Sequence, residues 1–154
     1  MTTIDRLFAA AAQRALEDAL PYAGALTPAE TFELLEQVPR ARLIDVRTRA
    51  ELDWIGRPLI AAGQYAHIEW IDYPASARNP HFLAALRDIA TPDTPVLLLC
   101  RSAARSKAAA ALAAQEGFTA AFDVLEGFEG GKDAQGHRKS LAGWCFRGLP
   151  WIGA

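Results

Sequence analysis

The chain has 154 residues, a formal net charge of −2 and 51% hydrophobic residues. This length suits one globular domain, and the slightly acidic balance argues against nucleic acid or an anionic membrane as a partner. Two cysteines are too few for a disulfide framework, charges interrupt the N-terminal apolar run, and no uncharged apolar stretch is long enough to span a membrane. We therefore expect a cytoplasmic protein with free thiols.

The beginning of the chain predicts two helices. Apolar residues recur at spacings of three and four over residues 3–20, and Pro21 ends that pattern. A short linker, YAGAL, follows. In TPAETFELLEQ, Thr27 is expected to be the N-cap, with Pro28 in the first turn and Glu30 closing a capping box.

The remainder of the chain alternates short apolar runs with helical segments. Strands are predicted at LIDV, YAHIEW, VLLLC and AFDVLEG. Helices are predicted at NPHFLAALRDIA, with Asn79 as the cap, and at the alanine-rich RSKAAAALAAQEG. The alternation predicts an α/β domain over residues 26–154, with a central, mostly parallel sheet flanked by helices. Residues 1–25 are expected to form an N-terminal helical extension of that domain.

The stretch PVLLLCRSAARSKAAAAL carries the clearest chemical signal. Its apolar strand ends at Cys100, and a helix begins within the next few residues. Ligands of parallel α/β sheets bind at the carboxyl ends of the strands. A helix N-terminus and free backbone amides favour an anion there, and Arg101 and Arg105 add positive charge. These features favour the thiolate of Cys100, which is the nucleophilic form of a cysteine.

The alternative for Cys100 is an inert thiol at the end of a buried strand. The two arginines argue against it, because cations are unfavourable at a helix N-terminus unless an anion is present. Four residues separate Cys100 from Arg105. A loop one residue longer would suit the phosphoryl group of a phosphatase, so the shorter cradle favours a smaller electrophile such as a sulfane sulfur.

The segment LLLCRSAARS resembles the active-site loop of rhodanese-like sulfurtransferases, whose usual pattern is Cys-Arg-Ser-Gly-x-Arg-Ser. LIDVRTRAE resembles the first-strand signature of that family, VLEGFEGG the strand and turn after the catalytic helix, and GWCFRGLPW the closing segment. The resemblance covers roughly residues 26–152. It implies a rhodanese-like fold, with the central sheet described above.

The resemblance also implies a two-step sulfur transfer with Cys100 as the catalytic residue. Cys100 attacks thiosulfate or a related small anionic donor and becomes a persulfide, from which a thiol or cyanide removes the sulfur. No metal or organic cofactor is implied. The residues expected to bind the donor are those of the loop: Arg101, Ser102, Ala103, Ala104 and Arg105.

Asp45, Arg47 and Glu51 are expected to be structural support, as an ion-pair network at the end of the first-strand segment rather than as catalytic acids and bases. Cys145 is interpreted as incidental rather than as a resolving thiol. A second function stays open, namely a persulfide carrier that delivers sulfur to a protein partner with little turnover of small molecules.

Two features depart from the family pattern. Ala103 stands where the family usually has glycine, and alanine there would cost about 1 kcal/mol if the position requires a positive φ. The family's compact Gly-His-Ile-Pro-Gly-Ala segment is replaced by the longer GRPLIAAGQYAHI. The second departure predicts a different shape for a region that often borders the site.

Overall fold

Five parallel strands form the centre of the molecule. The computed structural model describes residues 1–154. Its strands are β1 (Gly24–Leu26), β2 (Arg42–Asp45), β3 (Arg57–Pro58), β4 (Tyr65–His67), β5 (Val96–Leu99), β6 (Ala121–Val124) and β7 (Trp151–Ile152). The central sheet has the order β1-β6-β5-β2-β4, and β3 pairs with β7 in a separate antiparallel ribbon.

Helices cover both faces of this sheet. They are α1 (Thr3–Asp18), α2 (Pro28–Gln37), α3 (Arg49–Ile55), α4 (Phe82–Ile89) and α5 (Ala104–Gln115). The predicted α/β class, the mostly parallel sheet, the flanking helices and the N-terminal helix are all confirmed. No helix combines the length and apolar character needed to cross a membrane.

The central strand β5 explains why the chain has two cores. Leu97 and Leu99 pack with residues of α1 and α2 on one face, whereas Leu98 and Cys100 pack with residues of α4 and α5 on the other. Both faces of β5 are therefore buried, which is why VLLLC is continuously apolar rather than alternating. The same arrangement places Cys100, the first residue after β5, in the interior at the carboxyl edge of the sheet.

The predicted linker YAGAL is wrong, because it contains β1. All three strand residues are buried, and they pair in parallel with β6 at the sheet edge. Three residues are too few to show the apolar alternation by which strands are recognised. The predicted cap of α4 is also wrong: the N-cap is His81, and Asn79 instead accepts a hydrogen bond from the His81 backbone N–H.

The N-terminal helix α1 packs onto the edge of the sheet. Thr2 and Asp5 form a capping box at its start, and Leu7 and Ala11 are fully buried. Gly24 allows the close approach, because a Cβ atom there would lie 2.2 Å from the carbonyl oxygen of Ala11. The helix is thus part of one core with α2 and β1.

Leucines on α1 give a matched test of this packing. Leu7→Ala is expected to lower the free energy of unfolding by about 2–5 kcal/mol, because it removes a fully buried side chain and leaves a cavity. Leu16 on the same helix is 79% exposed, so Leu16→Ala should change stability by less than about 0.5 kcal/mol. Urea unfolding of both variants measures the difference, and equal stabilities would show that α1 does not contribute to the core.

Candidate active site

The candidate site lies in the loop between β5 and α5. β5 has β6 and β2 as neighbours, so the loop opens at the carboxyl edge of three adjacent strands. Cys100 follows β5 directly and is only 1% exposed, while α5 begins at Ala104. The thiol therefore sits at the bottom of a loop whose far end is a helix N-terminus.

Backbone geometry directs a donor at the thiol. The N–H of Ala103 donates to Cys100 Sγ at 3.1 Å. Ala103 has φ 77° and ψ 13°, the left-handed conformation that glycine adopts without strain. The position therefore has the positive φ that favours glycine, although the residue is alanine.

Replacing this alanine should make the protein more stable. Ala103→Gly is expected to raise the free energy of unfolding by about 0.5–1 kcal/mol, since it relieves the left-handed strain at some cost in chain entropy. Ala108 is an exposed residue inside α5, and Ala108→Gly should instead lower stability by about 1 kcal/mol. Chemical denaturation should give opposite signs for these two variants. Destabilisation by both would contradict the strained loop.

A chain of buried polar groups lies beneath the thiol. Cys100 donates to Ser106 Oγ at 3.3 Å, Ser106 donates to Asp123 Oδ1 at 2.5 Å, and Lys107 Nζ donates to Asp123 Oδ2 at 3.1 Å. Burial raises the pKa of Asp123, against the opposing effects of Ser106 and Lys107. The chain fixes the position of Sγ from below. It joins α5 to β6, and no local pattern around Asp123 predicted that this carboxylate belongs to the site.

Arg105 is not free to bind a ligand in this structure. Its guanidinium donates to both oxygens of Glu51, at 2.5 and 2.9 Å. Burial alone would raise the pKa of Glu51, but the Arg105 hydrogen bonds and charge outweigh it and, with Thr48, lower the pKa to about 2. Glu51 and Thr48 also form the capping box of α3. The ion pair thus ties the start of α3 to the start of α5.

Arg101 differs from Arg105 in having an unpaired side chain. It is exposed, and its guanidinium takes part in none of the hydrogen bonds or ion pairs of the structure. Its side chain lines the cleft above the loop. Of the two loop arginines, only Arg101 is available to an incoming anion without breaking an existing pair.

Asp45, the last residue of β2, forms a fully buried pair with Arg47. Arg47 Nη2 lies 2.7 Å from Asp45 Oδ2 and also donates to the carbonyl of Gly56 at 2.9 Å. The Tyr65 hydroxyl donates to Asp45 Oδ2 at 2.8 Å. The guanidinium also stacks on Phe128, 4.3 Å from the ring centroid. These contacts hold the end of β2 to the segment that follows β6.

The segment after β6 forms the back wall of the loop. Phe128 N–H donates to the carbonyl of Cys100 at 2.8 Å, and Glu129 N–H donates to that of Arg101 at 3.0 Å. A Cβ atom at Gly127 would lie 2.4 Å from the Arg101 carbonyl group. Glycine is therefore required at 127, which gives the GFEGG motif a structural reason.

A cleft of about 590 Å³ opens over the loop. Trp54 and Tyr73, which are 83% and 70% exposed, form part of its rim. Glu129 lines it and is only 6% exposed, and its Oε2 atom has no hydrogen-bond partner. Glu129 was not singled out from the sequence, because a carboxylate in a glycine-rich turn normally suggests a solvated loop.

The second cysteine and two further basic side chains lie in other surroundings. Burial raises the pKa of Cys145 to about 11, and nearby Glu129 adds to the effect. Cys145 therefore stays a protonated thiol at neutral pH, which agrees with an incidental role. Lys107 contacts Asp123, as described above, and Arg138 donates to the carbonyl of Gly130 at 2.8 Å.

The fold and the loop define a class of α/β protein in which a loop at the carboxyl edge of a parallel sheet surrounds a cysteine thiol. The chain belongs to the rhodanese-like domain family, whose model matches residues 27–134. Membership supports sulfur transfer as the general chemistry, between a sulfur donor and an acceptor. No curated protein matched the chain significantly.

Solved structures agree with this assignment. The crystal structure of Rv0390 from M. tuberculosis is 44% identical, with a TM-score of 0.78 over 85% of this chain and 98% of that chain. The polysulfide-sulfur transferase homodimer of Wolinella succinogenes is 24% identical, with a TM-score of 0.58 over 97% and 89%. The rhodanese-like domain of Alr3790 from Anabaena sp is 12% identical, with a TM-score of 0.56 over 84% and 79%.

Proposed function

We propose that this protein is a sulfurtransferase that carries sulfane sulfur from a small anionic donor to a thiol or cyanide through a persulfide on Cys100. The observation behind the proposal is the geometry of the loop. The Ala103 amide is aimed at Sγ, a helix begins one residue later, and the unpaired Arg101 stands at the mouth. Each of these features stabilises or attracts negative charge.

The first step loads the sulfur. The Cys100 thiolate attacks the outer sulfur of thiosulfate, the Sγ–S bond forms, and the bond to the inner sulfur breaks. The electron pair leaves on sulfite, and Cys100 becomes a persulfide anion. The Ala103 N–H and the α5 N-terminus stabilise negative charge in the thiolate and in the persulfide alike.

The second step discharges the sulfur. A thiolate or cyanide attacks the outer sulfur of the persulfide, and the Sγ–S bond breaks with its electron pair returning to Cys100. Both steps are displacements at sulfur and require no metal or organic cofactor. Steady-state formation of thiocyanate from thiosulfate and cyanide tests the complete cycle, and the absence of turnover would argue against an enzyme acting on small molecules.

A persulfide carrier is the second candidate. Two large aromatic side chains, Trp54 and Tyr73, are exposed at the rim of the cleft, where a protein acceptor would contact them. A carrier would load one sulfur per chain yet release little thiocyanate at steady state.

Polysulfide, the substrate named for the W. succinogenes homodimer, is a second donor class to compare with thiosulfate. Both cysteines are free thiols, which suits a reducing, cytoplasmic location.

Arg101 should act mainly on donor binding. Arg101→Ala is expected to raise KM for thiosulfate about fivefold with kcat nearly unchanged, because an exposed charge is worth about 1 kcal/mol. The ratio between variant and wild type should shrink as salt is added, since such a charge is screened over about 8–10 Å. Initial rates over a range of thiosulfate and salt concentrations measure both effects.

Arg87 supplies the matched control for that measurement. It is an exposed arginine on α4 and does not line the cleft. Arg87→Ala should leave KM unchanged at every salt concentration. Equal effects of the two substitutions would show that only the net charge of the protein matters, and would remove Arg101 from the donor site.

A further inference from the structure

The cleft over Cys100 contains a carboxylate that the two sulfur-transfer steps leave unexplained. Glu129 lines the cleft, is more than nine-tenths buried, and has an Oε2 atom without a hydrogen-bond partner. Its backbone explains why it is there, because the Glu129 N–H binds the carbonyl of Arg101. Nothing in that backbone contact requires a charged side chain.

A buried carboxylate oxygen without a hydrogen-bond donor destabilises the folded protein, because it has lost its hydrogen bonds to water and has formed no others. The nearby arginines do not pair with it. Arg105 is engaged by Glu51, and Arg101 and Arg47 form no ion pair with Glu129. Arg47 Nη1 is itself buried without a partner. The side chain of Glu129 is therefore left available to a ligand that brings its own donor.

The other acidic groups of the cleft differ from Glu129. Glu51 is neutralised by Arg105. Asp72 is exposed to solvent, and its Oδ1 accepts a hydrogen bond from the Ala77 N–H. Glu129 is thus the lining carboxylate that is both buried and unpartnered, in the same cleft as Arg101.

We propose that Glu129 forms a subsite for a cationic sulfur acceptor, a small thiol that carries a protonated amine. This inference rests on the proposed function and specifies its acceptor. A desolvated carboxylate binds an ammonium group by a charge-assisted hydrogen bond, and the exposed faces of Trp54 and Tyr73 at the rim also favour a cation. The anionic donor and the cationic acceptor would then bind different side chains of one cleft, those of Arg101 and Glu129.

The bonds changed in the step are those of the second half-reaction. The thiolate of the aminothiol attacks the outer sulfur of the Cys100 persulfide, and a new S–S bond forms on the acceptor. The Sγ–S bond breaks and returns its electron pair to Cys100. Glu129 takes no part in these bond changes and acts by holding the ammonium group, so it is a positioning residue for the acceptor.

Three acceptors that differ in charge test this proposal. Protein loaded with thiosulfate and freed of excess donor is mixed with cysteamine, 2-mercaptoethanol or 3-mercaptopropionate, and loss of the persulfide is followed by intact mass. Glu129→Gln is expected to slow discharge by cysteamine about tenfold, the loss of one hydrogen bond between charged groups. Discharge by the neutral thiol should change less than twofold, and discharge by the anionic thiol should stay the same or become faster. The rate of the variant is compared with the wild-type rate for the same thiol, so differences in intrinsic reactivity among the three thiols cancel.

The control is Asp72→Asn, which removes an exposed carboxylate from the same cleft. It should leave the cysteamine rate within twofold of wild type if binding at Glu129 is specific. Equal slowing of all three thiols by Glu129→Gln, with a lower melting temperature, would overturn the proposal and assign Glu129 a structural role beside Arg47. An unchanged cysteamine rate would overturn it as well.

A binding measurement separates this proposal from the proposed function. Cysteamine added to the unloaded protein should shift the Glu129 amide resonance in ¹H–¹⁵N spectra, with affinity about tenfold weaker in Glu129→Gln. Ethanolamine, which has the amine and no thiol, should compete in the wild-type protein. If thiosulfate fails to load Cys100 while these shifts occur, the proposed function fails and the cation subsite stands. Absence of both shifts and competition would refute the subsite whatever the loading result.

Discussion

Cys100→Ser is expected to abolish sulfur loading while the protein keeps its fold. The hydroxyl of serine can accept the Ala103 N–H and donate to Ser106 much as the thiol does, so the loop should retain its contacts. It cannot become a thiolate, however, and the nucleophile is lost. Intact mass after thiosulfate treatment measures the loss, and a melting curve verifies the fold.

Cys145→Ser is the matched control, because it removes the other thiol of the chain. Burial raises the pKa of Cys145 to about 11, so this thiol is protonated and weakly nucleophilic at neutral pH. The control variant should load sulfur as fully as wild type. Sulfur found on Cys145 in the Cys100→Ser protein would contradict the assignment of the nucleophile.

Glu51→Gln should change how stability depends on pH. The pKa of Glu51 falls from 4.5 to about 2 in the folded protein, because the hydrogen bonds and charge of Arg105 outweigh the effect of burial. A lowered folded-state pKa stabilises the protein fully above about pH 4.5, and that contribution is lost as the pH falls towards about 2. At neutral pH the substitution should cost about 1.5–3 kcal/mol, the value of a hydrogen bond to a charged group.

Urea unfolding at several pH values measures this effect. Between pH 4.5 and about 2, wild type should lose stability more steeply than Glu51→Gln, by up to about 1.4 kcal/mol per pH unit. Arg105→Ala should flatten the same acid limb, since it removes the cation that lowers the pKa. Parallel pH profiles for wild type and both variants would show that the ion pair does not tie α3 to α5 in solution.

Local signals in the sequence predicted much of the fold. Thr27, Pro28 and Glu30 predicted the start of α2, and the capping box is present in the structure. The continuous apolar run VLLLC predicted a strand buried on both faces, and both faces of β5 are covered in the structure. The strand β1 was missed because three residues are recognisable as a strand only through their pairing with β6, about a hundred residues further on.

The site was predictable where its residues are contiguous and obscure where the fold assembles it. Cys100 and Arg101 stand together in one loop, and Ala103, which replaces the family's usual glycine, has a positive φ. Asp123 comes from a different strand and Glu129 from a distant turn. Only the folded structure shows that these two carboxylates are buried beside the loop, so no local pattern predicted their place in the site. Likewise, the pairing of Arg105 with Glu51 spans 54 residues of chain, and no local pattern distinguishes Arg105 from the free Arg101.

Intact mass of the wild-type protein, before and after thiosulfate and then after cyanide, is the decisive test of sulfur transfer through Cys100. We expect a gain of one sulfur atom per chain, located on the peptide that contains Cys100, and its complete removal by cyanide with release of thiocyanate. A mass that thiosulfate leaves unchanged, or an added sulfur that cyanide does not remove, would contradict sulfur transfer through Cys100.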